Sequence, residues 1–124
     1  MILFLDDCVS RQKQFALRYP NAHIVDTAAK AIAALSKETY KVVCLDHDLG
    51  GEIYVESESA DTGMEVARWI AKNKPEIDLV VVHTLNPDGG DNMMSMLKGY
   101  KAARIPFLIM FELESMKLID NHNV

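Results

Sequence analysis

Apolar and polar positions follow one another in short blocks that read strand, helix, strand, helix along the chain. Ile2–Leu5 is wholly apolar and stops abruptly at Asp6-Asp7, the pattern of a parallel strand buried on both faces. Ser10 is placed to cap a helix over Arg11–Arg18, which Pro20-Asn21 ends. His23–Asp26 reads as a second strand. Thr27 then caps an amphipathic helix running to Lys37, with Ala28, Ala31, Ile32 and Leu35 on one face. Lys41–Leu45, β-branched and apolar, is a third strand, and it too stops at an acid, Asp46.

The stretch from His47 to Ala60 has no period; it carries Gly50-Gly51 and then Glu52, Glu56 and Glu58. Asp61-Thr62-Gly63 opens a third helix with Met64, Ala67, Ile70 and Ala71 inward, and Pro75 closes it. Asp78–Val82 is a fourth strand ending in His83-Thr84. Asn86-Pro87-Asp88-Gly89-Gly90 reads as a turn leading to a Met-rich helix over 91–100, followed by a fifth strand over Ile105–Phe111 and a short last helix over Glu112–Ile119. Strands separated by helices call for a parallel sheet covered on both faces. Such sheets bind ligands beyond the carboxyl ends of their strands. In this chain those ends carry Asp6, Asp7, Asp46, His47, Asp48, His83 and Thr84, nearly all titratable or metal-competent.

Size and charge narrow the partners. The 124 residues suit one domain, expected to span 1–124. A net charge of −5 with no basic run disfavours duplex DNA or RNA, whose affinity comes from neutralised phosphates. A small nucleotide or one RNA end remains compatible. No apolar run reaches the ~18 residues of a membrane span, and no signal-peptide pattern opens the chain. Cys8 and Cys44 lack zinc or disulfide spacing and read as reduced thiols, so a cytoplasmic location is expected.

If the first and third strands are neighbours, Asp6, Asp7 and Asp46 lie close together. Two like charges at about 4 Å repel by roughly 4 kcal/mol at an effective dielectric of about 20. Such a cluster needs a cation, protons or basic partners, and a hard divalent ion (Mg²⁺ or Mn²⁺) suits carboxylate oxygens. Asp6, Asp7, Asp46 and Asp48 are the candidate metal ligands, although Asp7 and Asp48 can equally cap the turns that follow them. His47 and His83 stand on separate strand exits, where one imidazole can take a proton and the other give one. Arg11 begins a helix at this edge and can reach a phosphate or pair with Asp7. The Gly89 and Gly90 amides can converge on an anion, although Gly-Gly is also an ordinary turn. Met93, Met94 and Met96 read as packing.

Asp6-Asp7, Asp46, Thr84 and Gly63-Met64-Glu65-Val66 together resemble a response-regulator receiver domain. That resemblance implies a flavodoxin-like, three-layer sandwich with a five-stranded parallel sheet in the order 2-1-3-4-5. It also implies Mg²⁺ at the first acidic pair, a phosphoryl acceptor at Asp46 and a sensing hydroxyl at Thr84. Receivers carry a lysine immediately before the fifth-strand proline. Here Ile105 precedes Pro106, and Arg104, offset by one, faces the other way. The fuller set, Leu5-Asp6-Asp7, Arg11, Phe15, Leu45-Asp46-His47-Asp48-Leu49-Gly50-Gly51, Asp61-Thr62-Gly63 and His83-Thr84 with Asn86-Pro87, resembles a divergent receiver-like family proposed to process cyclic phosphates in RNA repair and conflict systems, including those of phages.

The leading expectation is therefore a metal-dependent phosphoesterase that opens cyclic phosphates on RNA ends or nucleotides. Asp6, Asp7, Asp46 and Asp48 would hold the metal, with Asp46, His47 and His83 catalytic. Arg11, Thr84, Asn86, Gly89 and Gly90 would bind the phosphate. One alternative is a signalling receiver phosphorylated on Asp46; the other is a non-catalytic module that binds a nucleotide, or a protein partner through the acidic loop 52–61.

Overall fold

A computed structural model of the chain describes residues 1–49 and 61–124. Among them, strands β1 (Ile2–Leu5), β2 (His23–Val25), β3 (Val42–Leu45), β4 (Leu79–Val82) and β5 (Ala102–Arg104) form one parallel sheet in the order β2-β1-β3-β4-β5. Helices α1 (Val9–Arg18), α2 (Ala28–Lys37), α3 (Gly63–Asn73), α4 (Pro87–Met96) and α5 (Leu113–His122) complete the flavodoxin-like three-layer arrangement. No helix among the described residues is long and apolar enough to cross a membrane.

The strand period of two builds two cores. Leu3, Leu5, Val43, Leu45, Val80 and Val82 face α2, α3 and α4, where Ala31, Leu35, Val66, Ile70 and Met93 meet them. Ile2, Phe4, Val42, Cys44, Leu79 and Val81 face α1 and α5, packing on Phe15 and Ile119. Each fully buried aliphatic or aromatic side chain contributes about 1.5–3 kcal/mol, which explains why the central strands are apolar on both faces. Arg18 and the Tyr19 hydroxyl both reach Asp120, tying α1 to α5 at the surface.

Thr27 caps α2 as its sequence predicts, its hydroxyl accepting from the Lys30 amide. Other boundaries move. Cys8, not Ser10, is the N-cap of α1, which starts two residues early and brings Ser10 inside the helix. The α3 helix ends at Asn73 with Lys74 in the left-handed region (φ 53°) just before Pro75. Asn86-Pro87 is the start of α4 rather than part of a turn: Asn86 caps it, Pro87 occupies the first turn, and Gly89 and Gly90 are helical. The expected fifth strand over Ile105–Phe111 is also corrected. β5 lies upstream, and the apolar run after Pro106 folds into a 3₁₀ turn, Phe107–Ile109, which buries Phe107 and Met110 against the second core. The last helix runs on to His122. Of the acidic stretch 52–61, only Asp61 lies within the described residues; its carboxylate accepts the Ala28 amide at the start of α2.

Gly63 sets the fit between α3 and the end of β3. Its amide donates to the His47 carbonyl at 3.0 Å, and a Cβ placed there would sit 1.6 Å from the Asp46 carbonyl oxygen. Because that obstacle is backbone, Gly63→Ala must push α3 away from the strand exit. We expect a loss of about 3 kcal/mol or more in urea unfolding, at the upper end of overpacking costs. A loss below about 1 kcal/mol would show that this approach does not constrain the exit.

Candidate functional site

Register and alternation together create the site. Leu5, Leu45 and Val82 are level across β1, β3 and β4, and the ladder continues one residue further: the Asp46 amide donates to the Leu5 carbonyl at 3.1 Å and the His83 amide to the Leu45 carbonyl at 3.0 Å. The next residues, Asp6, Asp46 and His83, therefore stand side by side. They share the face of Phe4, Cys44 and Val81, towards α1. All three are buried, and one ligating atom from each lies within 4.8 Å of the others.

Arg11 covers this row. It shares a helix face with Phe15, one turn on, which stacks on Phe4 with ring centroids 4.0 Å apart. Its Nε lies 2.7 Å from Asp6 Oδ2, and its Nη2 lies 3.0 Å from Asp6 Oδ1 and 3.4 Å from Asp46 Oδ2. Asp6 also accepts the Cys8 amide at 2.9 Å on Oδ1 and meets His83 Nε2 at 3.0 Å on Oδ2. Burial alone would raise the Asp6 pKa, but the hydrogen bonds from His83 and Arg11 outweigh it and bring it from 3.8 to about 2. Asp46 goes the other way: burial raises its pKa, and the neighbouring Asp6 charge adds to that. Among the described residues, Asp46 Oδ1 accepts only a local bond, from the His47 amide at 2.9 Å.

The His83 ring is fixed by stacking on Phe4 (centroids 4.9 Å apart) and by the edge of Phe107. Its Nδ1 is buried with no hydrogen-bond partner among the described residues. A proton on Nδ1 would be a buried donor without an acceptor, so the pattern assigns the hydrogen to Nε2, pointed at Asp6. A metal-ligating histidine normally donates from its other nitrogen, and His83 cannot. The arrangement therefore fits a hard divalent ion on the Asp6 and Asp46 carboxylates better than one on imidazole. Half-buried Asp7 follows Asp6 but is not in the convergent group.

His47 and Asp48 lie elsewhere. Alternation turns His47 to the opposite face of the sheet, under the first turn of α4. A Cβ on Gly89 would come within 2.5 Å of its ring. His47 Nδ1 is 3.1 Å from Asp48 Oδ1, which also accepts from Asn86 Nδ2 at 3.1 Å. Asn86 Oδ1 takes the Gly89 amide, the Asn86 carbonyl takes the Gly90 amide, and Thr84 Oγ1 accepts the Asn86 amide. The expected imidazole pair is thus divided between two networks, and the glycine amides expected to hold an anion are engaged in capping α4. Arg104 faces α4 as its offset predicts, bonding Asp91 and the Asn86 carbonyl, while Ile105 is buried in the second core. Phe107 is a site residue that sequence reading missed, because it was assigned to a strand.

Comparison with known proteins agrees with this architecture. The solved structure of response regulator TrrA from Thermotoga maritima, in complex with Mg²⁺-BeF, is 19% identical over 99% of this chain and 97% of that one, with a TM-score of 0.63. The beryllofluoride-activated NtrC receiver domain is 17% identical over 99% and 96%, with a TM-score of 0.65. Chemotaxis protein CheY4 of Vibrio cholerae is 14% identical over 99% and 97%, with a TM-score of 0.62. At these identities the likeness establishes the fold. No curated protein sequence matches the chain. A family model, the cyclic-phosphate processing receiver domain, matches residues 1–99, and the chain belongs to that family.

Proposed function

We propose that the chain opens cyclic phosphodiesters, on a small nucleotide or an RNA end, with a divalent ion held by Asp6 and Asp46. The observation that carries this reading is the buried Asp6–Asp46–His83 row under Arg11. It offers carboxylates, an oriented imidazole and a guanidinium in one place, whereas the strand position that carries the receiver lysine is the buried Ile105. Bound there, Mg²⁺ or Mn²⁺ would supply charge neutralisation and an activated water. Arg11 is 37% exposed and stands at the mouth, where its planar N–H groups match two phosphate oxygens. The N–H of His83 Nε2 faces the same space and can donate a hydrogen bond to the departing alkoxide, which takes its proton from water. His47, Asp48 and Asn86 act at one remove, holding α4 against the ends of β3 and β4. Thr84 belongs with them through its bond to Asn86, and Asp7 would meet metal-ligated water from the rim.

A second reading has its own support. Asp46 stands at the end of β3 with an under-used carboxylate, and the chain shares its fold with TrrA, whose structure holds Mg²⁺-BeF. Asp46 would then accept a phosphoryl group as a signalling receiver does. A third reading, a binding module acting through 52–61, falls largely outside the described residues.

One experiment separates them. Purified protein with Mg²⁺ or Mn²⁺ is incubated with 2′,3′- and 3′,5′-cyclic nucleotides and, separately, with acetyl phosphate. Turnover to phosphomonoester is expected, with Asp46→Asn and His83→Gln each losing about 100-fold or more. A stable phosphoryl adduct on Asp46 without turnover would establish the second reading instead, and neither result would leave only binding.

The charge row also makes a metal-free prediction. The native pKa of Asp6 is depressed, so its stabilisation is complete above 3.8 and is lost as pH falls towards about 2. This is worth roughly 2 kcal/mol. Chemical unfolding from pH 5 down to about pH 2 should show that loss in the natural protein, and Asp6→Asn should flatten it. Equal slopes would mean that Asp6 is not held as an ionised partner.

A further inference from the structure

We propose that Arg11 is a built-in counter-ion that a divalent metal displaces from Asp6, and that the released guanidinium then binds the incoming anion, so that metal and phosphate bind cooperatively. The second half rests on the phosphate-binding reading above; the first does not.

The argument begins with the acceptor capacity of Asp6. A carboxylate offers about four lone-pair sites. Four donors already occupy them: the Cys8 amide and Arg11 Nη2 on Oδ1, and Arg11 Nε and His83 Nε2 on Oδ2, at 2.7–3.0 Å. Asp6 is fully buried, so no oxygen can take a cation until a donor leaves. Of these donors, the Cys8 amide is backbone at the start of α1. The His83 ring is locked by Phe4 and Phe107. Arg11, which supplies two of the four donors, is alone among the three groups in being carried on a long, partly exposed side chain, and its positive charge is repelled by an incoming metal. It must be the group that moves.

Its departure need not disturb the helix. Gln12 Nε2 donates to the Asp6 carbonyl at 2.7 Å, and Phe15 remains stacked on Phe4, so the first turns of α1 stay anchored. The guanidinium then swings outward from a fixed base at the mouth of the site. It loses its carboxylate partners as the metal arrives, and a bound phosphate restores them. Linkage requires the effect to be reciprocal, each ligand tightening the other by the same factor.

The test measures binding of Mg²⁺ and of inorganic phosphate, separately and together, by isothermal titration calorimetry on the natural protein, Arg11→Gln and Arg11→Lys. Far-UV circular dichroism and metal-free melting confirm that each variant is folded. Without phosphate, Mg²⁺ should bind Arg11→Gln about tenfold more tightly than the natural protein. In the natural protein, saturating phosphate should tighten Mg²⁺ about fivefold or more, and saturating Mg²⁺ should tighten phosphate equally. In Arg11→Gln this coupling should vanish, and Arg11→Lys should retain part of it. Equal or weaker Mg²⁺ binding by Arg11→Gln would overturn displacement. Tighter binding by Arg11→Gln but no coupling in the natural protein would overturn the hand-off to phosphate. Normal coupling without turnover of any cyclic nucleotide would sink the phosphoesterase reading and leave this proposal standing.

Discussion

Asp6 and Asp46 are neighbours because β1 and β3 pair in register from Ile2–Val42 to Leu5–Leu45 and both turn polar at the same level. Parallel pairing fixes the level, alternation fixes the face, and two carboxylates are thereby placed together out of water. Neither burial nor the mutual repulsion can be relaxed by rotating a side chain away. The surrounding groups have to answer it. Arg11 forks onto Asp6, His83 adds its Nε2 hydrogen bond, and the Cys8 amide completes the shell. Asp46 receives less help, and its raised pKa reports the remaining cost. The stability of this end of the sheet therefore depends on a cation being present, whether guanidinium or metal.

The two histidines show how a one-residue offset decides a role. His47 and His83 both follow strand ends, but His83 is the first residue past β4, whereas His47 is the second past β3. Alternation sends them to opposite faces. His83 joins the carboxylates; His47 goes beneath α4, where Gly89 leaves just enough room for its ring. The glycines that look like an anion-binding turn are thus explained by packing. Gly89 clears His47, and Gly90 clears the Arg104 guanidinium, which would lie 2.2 Å from a Cβ there.

Much of this was legible in the chain. Apolar runs ending in acids marked β1 and β3, and Thr27 marked the start of α2. The same period of two that marks the strands also predicts which exits share a face, so the Asp6–Asp46–His83 row follows once the exits are counted. Asn86-Pro87 was readable as an N-cap and first-turn pair but was masked by the glycines after it, whose low helix propensity is overridden by packing. The run Ile105–Phe111 misled because apolarity alone does not distinguish a strand from a buried turn; Pro106 was the available signal. Arg11 could be placed at the edge by spacing, but its hold on Asp6 rather than Asp7 depended on where α1 starts.

The source of the positive charge separates this site from the receiver pattern it resembles. A lysine at the end of the fifth strand would be set by sheet register and would approach the carboxylates from the side. Here that position is apolar, Arg104 is committed to α4, and the cation comes from a helix facing the row across the site's mouth. A guanidinium there spans both carboxylates at once. It also presents two parallel donors, a geometry matched to two oxygens of a phosphoryl group. Moving the charge from strand to helix keeps the fold unchanged while letting a helix face, rather than sheet register, set where the cation sits.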